Sequence, residues 1–585
     1  MKWLRRVWGA PLWAHVVVLS VALLAMVPLV GTGSSFSPDE PVAITQARSL
    51  AEGGGWIVEH PFPEIDPEGR LYPLAGSSQG DEGQAPFGKH PLYPLTLAAL
   101  EPVAGVAAMM VPSVLATVAA AALAALLARE VTGGLERPVL WAVGLASPLF
   151  FDAYLVIAHS LGAALVTGAT LAMVMALRRE RASLLVAGAM AMIGLAVLMR
   201  SEALLFALAL ATAIAAVGVV RRRPLLAGWG MMVALAGIGA AILEKALQKV
   251  LLGAEPTTIG VPAAGGGFLE ARLAGFLNTW LSPSAEPSSS ASGADALLVV
   301  VMLLAVAAVA VLRWRSSRPH MLVFLGVSAA VLSMVAFVSQ PDRVVPGLLV
   351  AYPLAVFGIG LVDREYFRVP GNLLLTVTVG LFMAGVLATQ YGEGGSAEWG
   401  GRYFALGVPI LTVLSVAALA RRAPTLPVPV RRWAGAGLVT CSLLMAVGAV
   451  TSLTSVHRYN DRLLARLVAT GQTVPPGDGG TPVVVTAWPN IARHAWPTSP
   501  PQRWLYNPDE DLSGELAVGL LDAGVSQLTF VGQKAEELSP YLGPYAVDES
   551  RSFNMGRWEI SVLVTRGADQ PAVAVAAKPS GSPAD

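Results

Sequence analysis

The chain has 585 residues, 55% of them hydrophobic and only 13% charged, with a mean hydropathy of +0.62 and a formal net charge of +0. Such a composition leaves too little polar surface for a soluble assembly of this length, and it lacks the Lys and Arg excess that a nucleic-acid backbone demands. A polytopic membrane protein with no nucleic-acid partner is implied, and the single cysteine, Cys441, lies in an apolar run without the spacing of a metal site.

The N-terminus, Met1-Lys2-Trp3-Leu4-Arg5-Arg6, leads into an apolar stretch that runs to Val30. At roughly 20 residues this stretch can cross the hydrocarbon core, and Val30-Gly31-Thr32-Gly33 is a poor cleavage site, so a retained span is expected. Ser37-Pro38-Asp39-Glu40-Pro41 follows directly. Pro38 biases Ser37 away from helix, so a new helix is expected to start near Asp39. The acidic pair then reads either as a helix cap or as a base held at the membrane surface. What favours chemistry is the long outer loop over residues 32–92, about sixty residues, because long ordered loops are usually functional. It carries Trp56, His60, Phe62 and Tyr72 and ends in Phe87-Gly88-Lys89-His90-Pro91-Leu92-Tyr93-Pro94. Lys89 and His90 there can meet an anionic phosphate, and the competing reading of Lys89 is a snorkelling anchor.

Further apolar runs begin near Val111, Pro138, Ile157, Ser183, Ala203, Pro224, Ala296, Met321, Val345, Leu373, Tyr403 and Trp433, giving about thirteen spans with the first. Arg-rich loops recur at every second connection: Arg5-Arg6, Arg129 with Arg137, Arg178-Arg179, Arg221-Arg222-Arg223, Arg313 to Arg318, Arg364 with Arg368, and Arg421-Arg422 with Arg431-Arg432. The positive-inside rule makes these cytoplasmic and places Asp39-Glu40, Lys89, Asp152, Arg200 to Glu202, residues 251–294, Asp342-Arg343 and Glu398 to Arg402, overlapping Trp399-Gly400-Gly401-Arg402-Tyr403, on the opposite face. Asp152 interrupts a nearly continuous apolar stretch, where a charge needs a cation, a metal or a water-filled cavity. His159 can join it as a ligand or sit neutral inside the bundle. Arg200 and Glu202 read as a local ion pair or as a phosphate ligand with its support. In the last motif the two glycines allow close backbone approach while Arg402 offers a planar donor fork. Residues 268–280 read as an amphipathic helix lying on the membrane.

Beyond about Ser455, residues 481–488, 526–532 and 559–565 read as strands and residues 514–524 as an amphipathic helix, so a small extracytoplasmic α/β domain is expected over 456–566 after a membrane domain over 1–455. Trp488, His494, Trp496 and Trp504 are candidate sugar-packing residues there, with core packing the alternative. Residues 567–585 are poor in large apolar residues and read as a disordered tail.

These motifs taken together resemble the GT-C superfamily of polyprenyl-phosphate-sugar-dependent glycosyltransferases, which includes the protein O-mannosyltransferases and the lipid A aminoarabinose transferase. The residues that carry the resemblance are Asp39-Glu40, the Lys89-His90-Pro91-Leu92-Tyr93 stretch, Arg200-Ser201-Glu202 and Gly400-Gly401-Arg402-Tyr403. His90 and Ser201 stand where many members have proline. The resemblance implies an α-helical polytopic fold and inverting transfer of a sugar to an envelope glycan, lipid or protein at the outer face. In it Asp39 acts as general base with Glu40 as its alternate, and Lys89, His90, Arg200, Arg402 and Tyr403 bind the donor phosphate. No nucleotide cofactor is implied. A divalent cation near Asp152 follows by analogy with some members, whereas the aminoarabinose type leans on basic residues. The rival readings are a transporter or flippase of a lipid-linked glycan, against which clustered outer-end charges and the lack of an internal repeat weigh, and a glycan polymerase or ligase.

Overall fold

In the computed structural model the apolar runs within the described residues are helices, the arrangement that satisfies every backbone polar group without water. It describes residues 9–57, 62–66, 71, 78–80, 83–179, 182–252, 257–258, 272, 275–276, 279–280, 346–355, 366–389, 399–472, 483–486, 489–495, 503–507, 513–525, 527–531, 546–555 and 558–566. The chain divides into two units, Met1–Glu59 with Gly76–Asp461, and His60–Ala75 with Arg462–Asp585.

The first unit contains helices α1 (Leu12–Val30), α2 (Asp39–Ala51), α3 (Leu92–Ala98), α4 (Glu101–Thr132), α5 (Glu136–Ala146), α6 (Leu149–Asp152), α7 (His159–Ala176), α8 (Ser183–Met199), α9 (Glu202–Arg221), α10 (Pro224–Leu252), α11 (Pro370–Thr389), α12 (Val408–Arg422) and α13 (Val428–Gln472) as far as Asp461. Among the described residues eight helices are long and apolar enough to cross a membrane. The expected spans near Ala296 and Met321, much of the one near Val345, the motif at Asp342-Arg343 and the tail over 567–585 lie outside the described residues, as does most of residues 268–280. The expected span near Pro138 is α5, only 11 residues long. It stops at Ser147-Pro148, and α6 continues the path after the break.

Alanines 120, 121, 124, 125 and 128 of α4 are buried to within 1%, and side chains this small let neighbouring helices approach. The irregular backbone between α5 and α7 is satisfied from α4. The Ser113 hydroxyl meets the Ile157 carbonyl and Thr117 Oγ1 meets the Leu149 carbonyl, each at 3.2 Å, and Thr117 also reaches Ser160 Oγ at 2.8 Å. Non-helical backbone inside a bundle is tolerated only where such partners exist. Strands β1 (Ser78–Gly80) and β2 (Gly83–Ala85) form a hairpin, and β3 (Thr257–Thr258), which follows α10, pairs with the free side of β1.

The second unit is a five-stranded sheet in the order β5-β4-β6-β8-β7. Strand β4 (Val483–Thr486) runs parallel to β5 (Arg503–Tyr506) and β6 (Gln527–Val531), while β8 (Trp558–Arg566) is antiparallel to β6 and to β7 (Ala546–Met555). Helices α14 (Pro489–Ala495) and α15 (Ser513–Asp522) connect the parallel strands. The continuous Val483-Val484-Val485 run is buried on both faces, as a central parallel strand requires. On one face Val483, Val485, Leu505, Leu520 and Phe530 pack with Phe62 from the first loop; on the other Val484, Ile491, Trp504 and Val531 pack with Leu463 and Leu464 of α13. The Tyr506 N–H also donates to the Leu71 carbonyl at 2.8 Å. This unit therefore takes in residues 60–75 of the first loop, and the boundary expected at 456 falls inside the unbroken helix α13. Trp504 is fully buried in this core and is no sugar platform, while Trp488 and Trp496 lie outside the described residues.

Candidate active site

The chain leaves α1 through Gly31 and enters a hinge strapped to α13, where the Ser34 hydroxyl donates to the His457 carbonyl and Asn460 Nδ2 donates to the Ser35 carbonyl, both at 2.8 Å. At the start of α2 the two acidic neighbours part company. Glu40 folds back so that Oε1 accepts the N–H groups of Phe36 at 2.9 Å and Ser37 at 2.8 Å. Its Oε2 accepts the Val156 N–H at 2.8 Å, and the residue is only 1% exposed. The reach back to donors ahead of the helix is capping-box geometry. Glu40, expected as an alternate base, thus holds the hinge and the segment after α6 together. Asp39 faces the other way, with a third of its side chain exposed, and is ion-paired with Arg402.

Arg402 reaches this position because Gly400 and Gly401 both adopt left-handed backbone, with φ of +76° and +73°. A Cβ at Gly400 would lie 2.3 Å from Pro148 Cγ and one at Gly401 would lie 2.7 Å from the Thr279 carbonyl oxygen. Trp399 stacks on Phe151 at 5.1 Å and 14°, and Phe36 meets the same Phe151 ring edge-on at 4.9 Å. This aromatic run ties the Arg402 turn to the Asp39 hinge. The guanidinium also lies over the Tyr403 ring at 5.4 Å, a cation–π contact.

Arg200 and Glu202 form a two-point ion pair at 3.1 and 2.6 Å, each side chain only 10% exposed. The pair is formed, an arrangement common to both readings of these residues. Gly162 of α7 faces the stem of Arg200 and the side chain of Leu406, and His159 lies within electrostatic reach of both Arg200 and Arg402. Asp39, Arg402, Arg200, Asp152 and His159 thus belong to one neighbourhood, to which Tyr93 adds a buried phenol. Burial pushes that phenol well above its usual range and the nearby Glu40 carboxylate adds to the shift, so Tyr93 stays neutral.

Lys89 is exposed in the turn before α3, whereas His90 is buried and turns inward with φ of +54°. Its Nδ1 lies 2.8 Å from Glu244 of α10, so its partner here is a carboxylate, not the phosphate-facing position expected of it. Sequence reasoning passed over Glu244, although a carboxylate within an apolar helix is a signal in itself. It also missed the Trp399–Phe151 stack, which only the fold brings together.

Asp152 and His159 approach to 3.6 Å, both buried. They offer two donors, and among the described residues no group of three or more His, Cys, Asp or Glu could hold a metal ion. The Arg200 and Arg402 guanidinium groups act electrostatically on His159 and oppose a further cation beside it. These two donors alone do not make a metal site, and no step below passes through a metal.

No protein-family model matches the chain, and no curated protein matches it. Solved structures do. ArnT from Cupriavidus metallidurans, bound to undecaprenyl phosphate, is 11% identical with a TM-score of 0.51, over 96% of this chain and 99% of that one. The Archaeoglobus fulgidus oligosaccharyltransferase tethered with an acceptor peptide is 11% identical with a TM-score of 0.47, over 94% of this chain and 74% of that one. That protein has also been solved with Zn and sulfate. The arabinofuranosyltransferase AftD from Mycobacteria is 15% identical with a TM-score of 0.41, over 95% of this chain and 40% of that one. At such identities the likeness is one of fold, and the ArnT match, which spans nearly all of both chains, carries it. This α-helical polytopic membrane protein shares its fold with ArnT.

Proposed function

We propose that the chain is an inverting glycosyltransferase that moves a sugar from a polyprenyl-phosphate donor to an envelope glycan, lipid or protein at the outer face of the membrane. The observation that carries this reading is the partly exposed Asp39–Arg402 pair, a base and a phosphate-matching cation held together at the end of a span. In the resting protein Arg402 neutralises Asp39. A donor phosphate arriving at the site competes for the guanidinium and frees the carboxylate to take a proton. The acceptor hydroxyl then loses its proton to Asp39 as its oxygen bonds to the anomeric carbon. The bond from that carbon to the phosphate oxygen breaks, and the electron pair leaves with polyprenyl phosphate. Arg402 and Lys89 stabilise the charge that develops there, with Arg200 behind them and Tyr403 steadying Arg402. The bound undecaprenyl phosphate of ArnT supports a lipid-linked donor. The Arg-rich loops support a cytoplasmic N-terminus, with the site and the C-terminal domain on the extracytoplasmic side of the cell membrane.

The test is transfer from a panel of radiolabelled polyprenyl-phosphate sugars in reconstituted membranes, comparing wild type with Asp39→Asn at matched expression. One donor should be consumed, and Asp39→Asn should abolish turnover while donor binding persists. If no donor turns over and a fluorescent lipid-linked glycan crosses the bilayer equally well in both proteins, the transporter reading replaces this one.

A further inference from the structure

The turn that carries Lys89 hangs between two buried side chains from other helices. On one side the Phe87 N–H donates to Gln46 Oε1 at 3.3 Å; Gln46 is fully buried in α2 and its Nε2 reaches the Gly55 and Trp56 carbonyls at 3.3 Å. On the other side Glu244 Oε1 accepts the His90 N–H at 3.3 Å, lies 2.8 Å from His90 Nδ1 and accepts Gln248 Nε2 at 3.2 Å. Glu244 and Gln248 are 9% and 4% exposed in a helix that is otherwise apolar over most of its length. Burying a carboxylate costs several kcal/mol before partners are counted, and ionisable residues in such helices mark function by default. Nothing in the Asp39 site uses this one. What it does hold is the left-handed backbone at His90, a conformation that non-glycine residues adopt only when their surroundings impose it.

We propose that Glu244 is a positioning residue for Lys89. By fixing the main chain and ring of His90, with Gln46 fixing Phe87, it sets the direction in which the Lys89 ammonium leaves the turn, toward the phosphate of a polyprenyl-phosphate donor. This deepens the proposed function and rests on its assignment of Lys89 to that phosphate.

The test is a double-mutant cycle on the full-length protein, reading binding of farnesyl phosphate and donor KM and kcat. Glu244→Ala should weaken binding and raise donor KM about tenfold, the low end of what losing hydrogen bonds to a charged group costs, with a smaller change in kcat. In a Lys89→Ala background the same substitution should add nothing. Equal losses in both backgrounds would mean that Glu244 only supports the fold, and would overturn the proposal. Glu244→Gln should recover part of the loss. At His90 itself, Asn tolerates left-handed backbone but loses the ring contact and should lose only part of the binding, whereas Pro, locked near −65° and without an N–H, should reproduce Glu244→Ala in full. If Pro and Asn behave alike, the backbone role is wrong.

Labelling of the Lys89 amine, followed by mass spectrometry in the unliganded protein, separates the two layers. A silent Lys89→Ala removes the phosphate assignment, and the labelling rate then decides the positioning claim alone. A Glu244→Ala change of about threefold or more supports it, a shift well under 1 kcal/mol; an unchanged rate sinks it.

Discussion

Two ion pairs of the same chemistry sit in one neighbourhood of the helical unit and differ in access to solvent. Arg402 and Asp39 are 19% and 33% exposed on their side chains, whereas Arg200 and Glu202 are 10% exposed each and joined at two points. An open pair can trade partners, because water or an incoming anion takes up whichever charge is released. A sealed pair cannot, since separating it strands a charge in an apolar surround. The open pair is therefore suited to turnover and the sealed one to holding α9 and its neighbours in place.

The largest effect that bears on this contrast is catalytic. Asp39→Asn should lower turnover by about 10²–10⁴-fold, the usual worth of a positioned base, while thermal stability in detergent moves little, since exposed pairs contribute about 0–1 kcal/mol. Glu202→Ala should do the reverse kind of damage, costing about 3–5 kcal/mol by leaving Arg200 buried and unpaired, read as a fall in melting temperature. Replacing both, as Arg200→Met with Glu202→Leu, should restore most of the stability; if it does not, the pair is more than a sealed strut. Gly400→Ala should cost about 2–3 kcal/mol from left-handed strain and the clash with Pro148. Gly435→Ala, whose Cβ meets nothing within 4 Å, should be neutral or slightly stabilising. The mildest effect expected on catalysis is that of Arg402→Lys, which keeps the charge but loses the planar fork, and should reduce kcat/KM about tenfold with the fold intact. A loss equal to that of Arg402→Ala would show that the fork, and not the charge, is what the site requires.

Much of this was legible in the sequence because it is local. The apolar runs within the described residues are helical, the helix after Pro38 starts at Asp39, the expected strands at 481–488 and 526–532 contain β4 and β6, and the one at 559–565 falls within β8. The divergent fates of Asp39 and Glu40 were not legible, since one donor to Glu40 is Val156, 116 positions away. The His90 partner is likewise remote, with Glu244 at a separation of 154. Strands β5 and β7 escaped notice because Arg503-Trp504-Leu505-Tyr506 is short and Ala546–Met555 is interrupted by charges and a bulge near Glu549. Two glycines announced close approach at 400 and 401, but not that Pro148 and Thr279 would be what approaches.

The place of Phe62 in the core of the second unit bears on how the protein is made. The sheet that receives this ring is formed by residues 483–566, so a segment translated near the start must wait for strands translated near the end. At about 5–20 residues per second the delay is on the order of tens of seconds. Through that interval Phe62, Ile65 and Leu71 lack their eventual partners, an exposed apolar stretch of the kind chaperones bind. Biogenesis should therefore end with a late, long-range closure, and a chain truncated before β4 should leave the first loop open to protease.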